Sequence, residues 1–145
     1  VINLMGTMSL ESLESPFEKL DRILREPDLP KICVLDFHAE ATGEKRALGF
    51  YADGRLTAMF GTHTHVPTAD ECVLPKGTGY ITDAGMTGTI DSVLGVKPEI
   101  IIRRYITKMP ARFDLASGPC RMDCVIFTAD EATGLCTGVE RLSLT

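Results

Sequence analysis

No apolar run in this chain is longer than about four residues, as at 32–35 and 124–127. A membrane-spanning helix needs about 20, so no such segment is expected. Basic residues are scattered rather than clustered, and the net charge is −5. A phosphate-backbone binder would show a basic face, so a nucleic-acid polymer is not an expected partner. None of the five cysteines forms a Cys-x-x-Cys pair. Free thiols in a reducing compartment, the cytoplasm, is the simplest expectation. Residues 1–4 carry neither the basic stretch nor the apolar core of a signal peptide. Position 1 is not Met, which leads to the expectation that the chain begins inside a longer protein. There is no Gly-x-Ser-x-Gly elbow, P-loop or dinucleotide-binding fingerprint. Internal repeats, low-complexity tracts and long linkers are missing as well.

What remains is ordinary globular material. The 145 residues are 44% apolar and 24% charged, enough for one domain with a real core. Residues 1–4 read as a short strand opening onto Gly6. Ser15, Pro16 and Glu18 mark a helix start with a capping box, and Phe17, Leu20 and Leu24 share one face. Pro27 and Pro30 end it. The run 32–35 reads as a strand buried on both faces. A second helix is predicted over 42–52, with Ala47, Leu48 and Tyr51 as its stripe and Gly54 as a left-handed cap. Strands follow at 56–60 and 79–82, then a loop-rich stretch with Gly85, Gly88 and Gly95. Pro98 starts a third helix with Ile101, Ile102, Tyr105 and Ile106 apolar, closed by Pro110. Cys120, Met122, Cys124 and Ile126 alternate at strand period, residues 130–134 turn, and 135–144 return. The order predicts a mixed α/β sandwich.

The only three histidines, His38, His63 and His65, each follow a predicted strand. In α/β sheets, ligand sites gather at the carboxyl ends of strands, and neutral imidazole is the commonest metal ligand. Any one of them alone reads as a hydrogen-bonded loop residue. Three together favour a metal site, either with both rings of the His63-x-His65 pair on one side or with the pair diverging toward two adjacent ions. Asp36 and Glu40 flank His38 and are candidates for orienting its ring. Asp83 is a weaker candidate of the same kind. Thr62 and Thr64 read as satisfying loop backbone groups rather than as nucleophiles. Cys120, Cys124 and Cys136 form a less favoured thiolate-zinc alternative, since Cys is commonly a small buried hydrophobe.

Three segments carry a resemblance. They are Asp36-Phe37-His38-Ala39-Glu40-Ala41-Thr42, Gly61-Thr62-His63-Thr64-His65-Val66-Pro67-Thr68-Ala69-Asp70 and Ile81-Thr82-Asp83-Ala84-Gly85-Met86-Thr87-Gly88. With residues 47–55 between them, they resemble the YmdB-like branch of the calcineurin-like metallophosphoesterases over essentially the whole chain. The resemblance implies a four-layered α/β/β/α sandwich and a dinuclear metal site. It implies phosphodiesterase activity, with cyclic nucleotides as the substrate class. His38 and His63 would hold one ion and His65 the other. The cofactors would be two divalent transition-metal ions, Fe or Mn first and Zn next. The expected chemistry is in-line attack at phosphorus by a hydroxide held between ions roughly 3.5–4 Å apart.

The family's early elements, a Gly-Asp strand end, a Glu-Asn pair and a Gly-Asn-His loop, have no counterpart here. Residues 1–145 are therefore expected to be a single unit, about the carboxyl-terminal half of such a domain. The bridging carboxylate and the catalytic proton donor would lie in a missing amino-terminal half, the chain's expected partner. A small phosphodiester or nucleotide is the expected substrate. No membrane partner is expected, and an open sheet edge would favour a homo-oligomer. Two other functions stay open: a self-contained mononuclear zinc hydrolase using the three histidines, and a non-enzymatic scaffold or regulatory fragment.

Overall fold

The computed structural model describes residues 1–10 and 14–145. Five strands form the first sheet: β1 (Ile2–Met5), β2 (Val34–His38), β3 (Ala58–Thr62), β4 (Cys72–Val73) and β5 (Gly79–Ile81), in the order β1-β2-β3-β5-β4. The first four in that order run parallel, and β4 is antiparallel at the edge. A second, antiparallel sheet contains β6 (Thr87–Thr89), β7 (Cys120–Ala129) and β8 (Cys136–Leu144), in that order. The helices are α1 (Pro16–Ile23), α2 (Thr42–Ala52) and α3 (Pro98–Thr107). This is the mixed α/β architecture that the sequence predicts.

The core lies between the first sheet and the two helices α1 and α2. Leu20 of α1, Leu48 and Ala52 of α2, and Leu35, Phe37, Met59 and Tyr80 of the strands are all fully buried there. Burial of one such aliphatic or aromatic side chain contributes about 1.5–3 kcal/mol. On the other side of the first sheet, β8 packs against β4 and β5, and Phe127 and Cys136 crowd Gly79 so closely that a Cβ there would lie 2.6 Å from either.

Several local expectations need correction. Pro16 opens α1 as read, but Ser15 makes no side-chain cap bond, so the capping box does not form. The strand read at 32–35 lies two residues later, and it is not buried on both faces. Leu35 and Phe37 are buried, whereas Val34, Asp36 and His38 are half-buried. Helix α2 keeps its predicted bounds, and Gly54 has φ +79°. Its buried face, however, is Lys45, Leu48, Gly49 and Ala52, while Ala47 and Tyr51 face outward. The strand read at 56–60 also begins two residues later, because Leu56 and Thr57 are buried ahead of the ladder.

Helix α3 buries Ile101 and leaves Ile102, Tyr105 and Ile106 exposed. In β7 the expected alternation is inverted: Met122 and Ile126 point outward and Asp123 is buried. Burial of that carboxylate is tolerated because Ser143 Oγ donates to it at 2.5 Å and Arg121 Nε lies 3.0 Å away. Cys120, Cys124 and Cys136 do not converge on a metal site. Cys136 is packed against Gly79, and its thiol donates to the Gly138 carbonyl. Among the described residues, no helix is long and apolar enough to cross a membrane.

Candidate metal centre

The carboxyl ends of β1, β2 and β3 lie side by side. Met5 is opposite His38, and His38 is opposite Thr62. His38 is thus the last residue of its strand, and His63 immediately follows the neighbouring one. The parallel register brings their rings together, with centroids 5.0 Å apart and planes at 73°. His38 Nε2 and His63 Nδ1 face each other at 3.1 Å.

The outer nitrogens of both rings are committed to acceptors. His38 Nδ1 lies 3.1 Å from Thr62 Oγ1, which donates to Asp36 Oδ1 at 3.2 Å. A hydroxyl has one hydrogen, and a carboxylate only accepts. With that hydrogen on Asp36, the Thr62 oxygen accepts from His38 Nδ1–H. Asn3 Nδ2 holds the other Asp36 oxygen at 2.9 Å. On the second ring, His63 Nε2 meets the Glu40 carboxylate, so the proton of the neutral ring sits there. In the neutral state, the two facing nitrogens therefore both present lone pairs.

Two lone pairs at this distance require a cation between them, either a proton or a metal ion. Nitrogens bound to one tetrahedral zinc at about 2.0–2.1 Å would be separated by roughly 3.3 Å, close to the observed spacing. The pair therefore fits a shared divalent metal as part of its donor set. It is not a complete set, because no group of three or more His, Cys, Asp or Glu side chains converges as a metal site among the described residues.

His65 does not join the pair. It is exposed and lines a neighbouring cleft of about 160 Å³ with Pro67, Met86, Ile90, Arg121 and Asp123. Both loop histidines have left-handed backbones, with φ of +123° at His63 and +64° at His65. Such conformations are unusual for side chains with a Cβ. Between them, the Thr64 amide donates to Asp83 Oδ2 at 3.0 Å. The Thr64 hydroxyl satisfies its own loop through Val66, as read from the sequence.

A buried polar layer supports this loop. Lys45 Nζ lies 2.9 Å from Asp83 Oδ2, with both side chains fully buried. Asp83 Oδ1 accepts the Gly85 amide at 3.0 Å. Burial works to raise the Asp83 pKa, but the bonds from Lys45 and from the Thr64 and Gly85 amides hold it below the usual carboxylate value. Asp70 closes the far end of the loop by accepting from the hydroxyls of Thr68 and Thr82 and from the Thr82 amide. Burial opposes ionisation there too, and these bonds prevail, so its pKa is also lowered.

Sequence reasoning missed Lys45 and the bridging role of Thr62, and it assigned Glu40 to the wrong ring. Lys45 was detectable. Residues 45, 48, 49 and 52 have the i, i+3, i+4, i+7 spacing of one helix face, and a lysine among apolar and small partners marks a buried charge. Thr62 and Glu40 carry no such signal, because their partners depend on the strand register and the loop path.

The chain belongs to the YmdB-like protein family, whose model matches residues 1–142. It is 49% identical over 144 residues to the Bacillus subtilis (strain 168) protein named 2',3'-cyclic-nucleotide 2'-phosphodiesterase, covering 98% of this chain and 54% of that protein. A solved structure described as a hypothetical protein from Thermus thermophilus superposes with a TM-score of 0.91 at 40% identity, covering 98% of this chain and 55% of that one. A structure described as a novel phosphatase from Mycoplasma pneumoniae gives 0.90 at 36% identity, covering 98% and 51%. The chain spans about half the length of the curated relatives it matches.

Proposed function

We propose that this chain supplies the imidazole side of a metal-dependent phosphodiesterase site acting on small phosphodiesters, cyclic nucleotides among them. The observation that carries this reading is the 3.1 Å approach of His38 Nε2 to His63 Nδ1, with the other nitrogen of each ring held by Thr62 and Glu40. The names of the Bacillus and Mycoplasma relatives support the reaction class. His38 and His63 hold one divalent ion, and His65, turned toward the adjoining cleft, holds a second. When bound, such ions supply Lewis-acid polarisation of a phosphoryl oxygen and lower the pKa of water. Fe or Mn is the first choice for the metal and Zn the next, since imidazole suits all three.

The chain's own residues bind and orient. Thr62, held by Asp36, keeps the His38 proton on Nδ1 and leaves Nε2 as the donor atom. Glu40 does the same for His63 from the opposite side. Carboxylate partners of this kind also raise the basicity of the ligand. Three neutral imidazoles do not offset the charge of two close divalent ions, whose repulsion rises as their separation falls. We assign the missing carboxylates, the proton donor and the rest of a four-layered sandwich to residues outside this chain. Residues 1–145 then form one unit of that larger domain, working in the cytoplasm as a soluble enzyme or an assembly of copies.

Metal analysis of wild type and His63→Ala tests the reading. Wild type should bind a divalent transition metal, and His63→Ala should lose most of it. Equal metal content in the two proteins would overturn the assignment. Hydrolysis of bis-p-nitrophenyl phosphate should be weak for residues 1–145 alone and restored by the remaining half of such a domain, supplied in cis or as a separate chain.

A further inference from the structure

We propose that Asp83 is a positioning residue whose carboxylate, neutralised in the interior by Lys45, sets the conformation of the loop carrying His63 and His65. The inference depends on the proposed metal site only for one of its readouts.

The contacts converge on a single residue of the loop. Asp83 Oδ2 receives both Lys45 Nζ at 2.9 Å and the Thr64 amide at 3.0 Å. Thr64 is the residue between the two histidines, so fixing its amide fixes the His63–Thr64 peptide from which the loop runs on to His65. On either side of it the backbone is left-handed, at +123° and +64°. Two such residues flanking one position do not persist unless surrounding contacts hold them. The Asp83 carboxylate is the contact that does so here. Its own backbone is clamped, with Thr68 Oγ1 accepting the Asp83 amide at 2.9 Å and the Asp83 carbonyl accepting the Thr68 amide at 3.0 Å.

Lys45 reaches this point from helix α2 beneath Gly61. A Cβ at position 61 would lie 2.9 Å from Lys45 Cδ and would run into the Thr82 carbonyl oxygen. Gly61 thus gives the lysine stem its path, and the Gly61 carbonyl accepts the Ala84 amide at 2.9 Å. The segments 61–64 and 82–85 are consequently locked to each other and to the helix. A fully buried ion pair is seldom better for stability than apolar residues of equal size. What this pair provides that apolar residues would not is an oriented acceptor for the Thr64 amide.

Two double variants separate positioning from simple support of the fold. Both Lys45→Met/Asp83→Asn and Lys45→Met/Asp83→Leu remove the charges, but only the first retains an acceptor for the Thr64 amide. Histidine ring ¹⁵N shifts are recorded without metal, and cobalt affinity is measured separately. The Leu variant should shift the His63 and His65 ring signals and weaken cobalt binding by about 10–100-fold, as loss of a partner behind a ligand typically does. The Asn variant should restore both readouts close to wild type. Unchanged ring shifts in the Leu variant would overturn the proposal. If wild type binds no cobalt, the metal reading falls and the ring shifts alone decide the positioning role. If the Leu variant does not fold, hydrogen exchange of the Thr64 amide in wild type decides instead. Protection comparable to the β3 amides supports the proposal, and exchange at the rate of an open loop overturns it.

Discussion

The hydroxyl of Thr62 stands 3.1 Å from Nδ1 of His38 and fixes which nitrogen of that ring carries the proton. Asp36 reaches the ring only through this same hydroxyl. Thr62→Val keeps the shape and removes the bridge. Metal affinity should fall about 10–100-fold, with a stability loss of about 0.5–1.5 kcal/mol for the broken bonds. Isothermal titration and urea unfolding measure the two effects. Thr62→Ser should retain both properties, and equal metal affinity in the Val and Ser variants would contradict the bridging role.

Glu40 provides the contrasting case. Its side chain is half exposed and touches His63 Nε2 from the solvent side. Glu40→Ala should leave unfolding within about 0.5 kcal/mol of wild type, as surface changes usually do, while weakening metal binding by less than Thr62→Val does. A Glu40→Ala protein with wild-type metal affinity would remove Glu40 from the site.

Gly61 has no room for a side chain, because the Thr82 carbonyl and the Lys45 stem occupy the space. Gly61→Ala should destabilise the chain by about 1–3 kcal/mol or more through overpacking. Chemical denaturation checks it, and a neutral result would mean that β3 and the residues after β5 separate easily.

Asp83 and Asp70 both have lowered pKa values in the folded chain. The folded state therefore takes up their protons less readily than the unfolded state, whose carboxyls titrate near about 3.9. Their contribution is complete above that value and is lost as pH falls through the lower folded values. The urea midpoint should change little from these groups between pH 7 and 5 and drop below about pH 4. Asp70→Asn should give a shallower acid loss, and a curve parallel to wild type would refute this account of Asp70.

All five cysteines are free thiols. Titration of the denatured, unreduced chain should find about five reactive groups, and fewer than four would point to oxidation that the fold does not predict.

The sequence revealed the elements better than their orientations. The bounds of helix α2 were legible because Gly54 stops it with a positive φ, but its buried face was not, since Lys45 takes the place expected for Ala47 and Tyr51. Strands β2 and β3 begin two residues later than hydropathy indicates, since the ladder is set by parallel neighbours: Ile32 is exposed ahead of β2, whereas Leu56 and Thr57 are buried ahead of β3. The inversion of β7 was not legible, because a hydropathy pattern carries no sign of the Ser143 and Arg121 partners that admit Asp123 to the interior. At the candidate site, His38 and His63 were legible as strand-end residues. Their convergence follows from the register of β2 with β3, which no spacing within either segment encodes. The separation of His65 from them follows from a backbone turn that sequence spacing does not specify.

The left-handed backbones of His63 and His65 have a consequence for how this loop can change. A residue with a Cβ held in such a region costs on the order of 1–3 kcal/mol, and glycine would relieve that cost. Replacing His65 with glycine should therefore raise the melting temperature even as metal is lost. Histidine at these two positions is then a standing conflict between durability and chemistry, and selection for thermal tolerance alone would erode the loop from that end first.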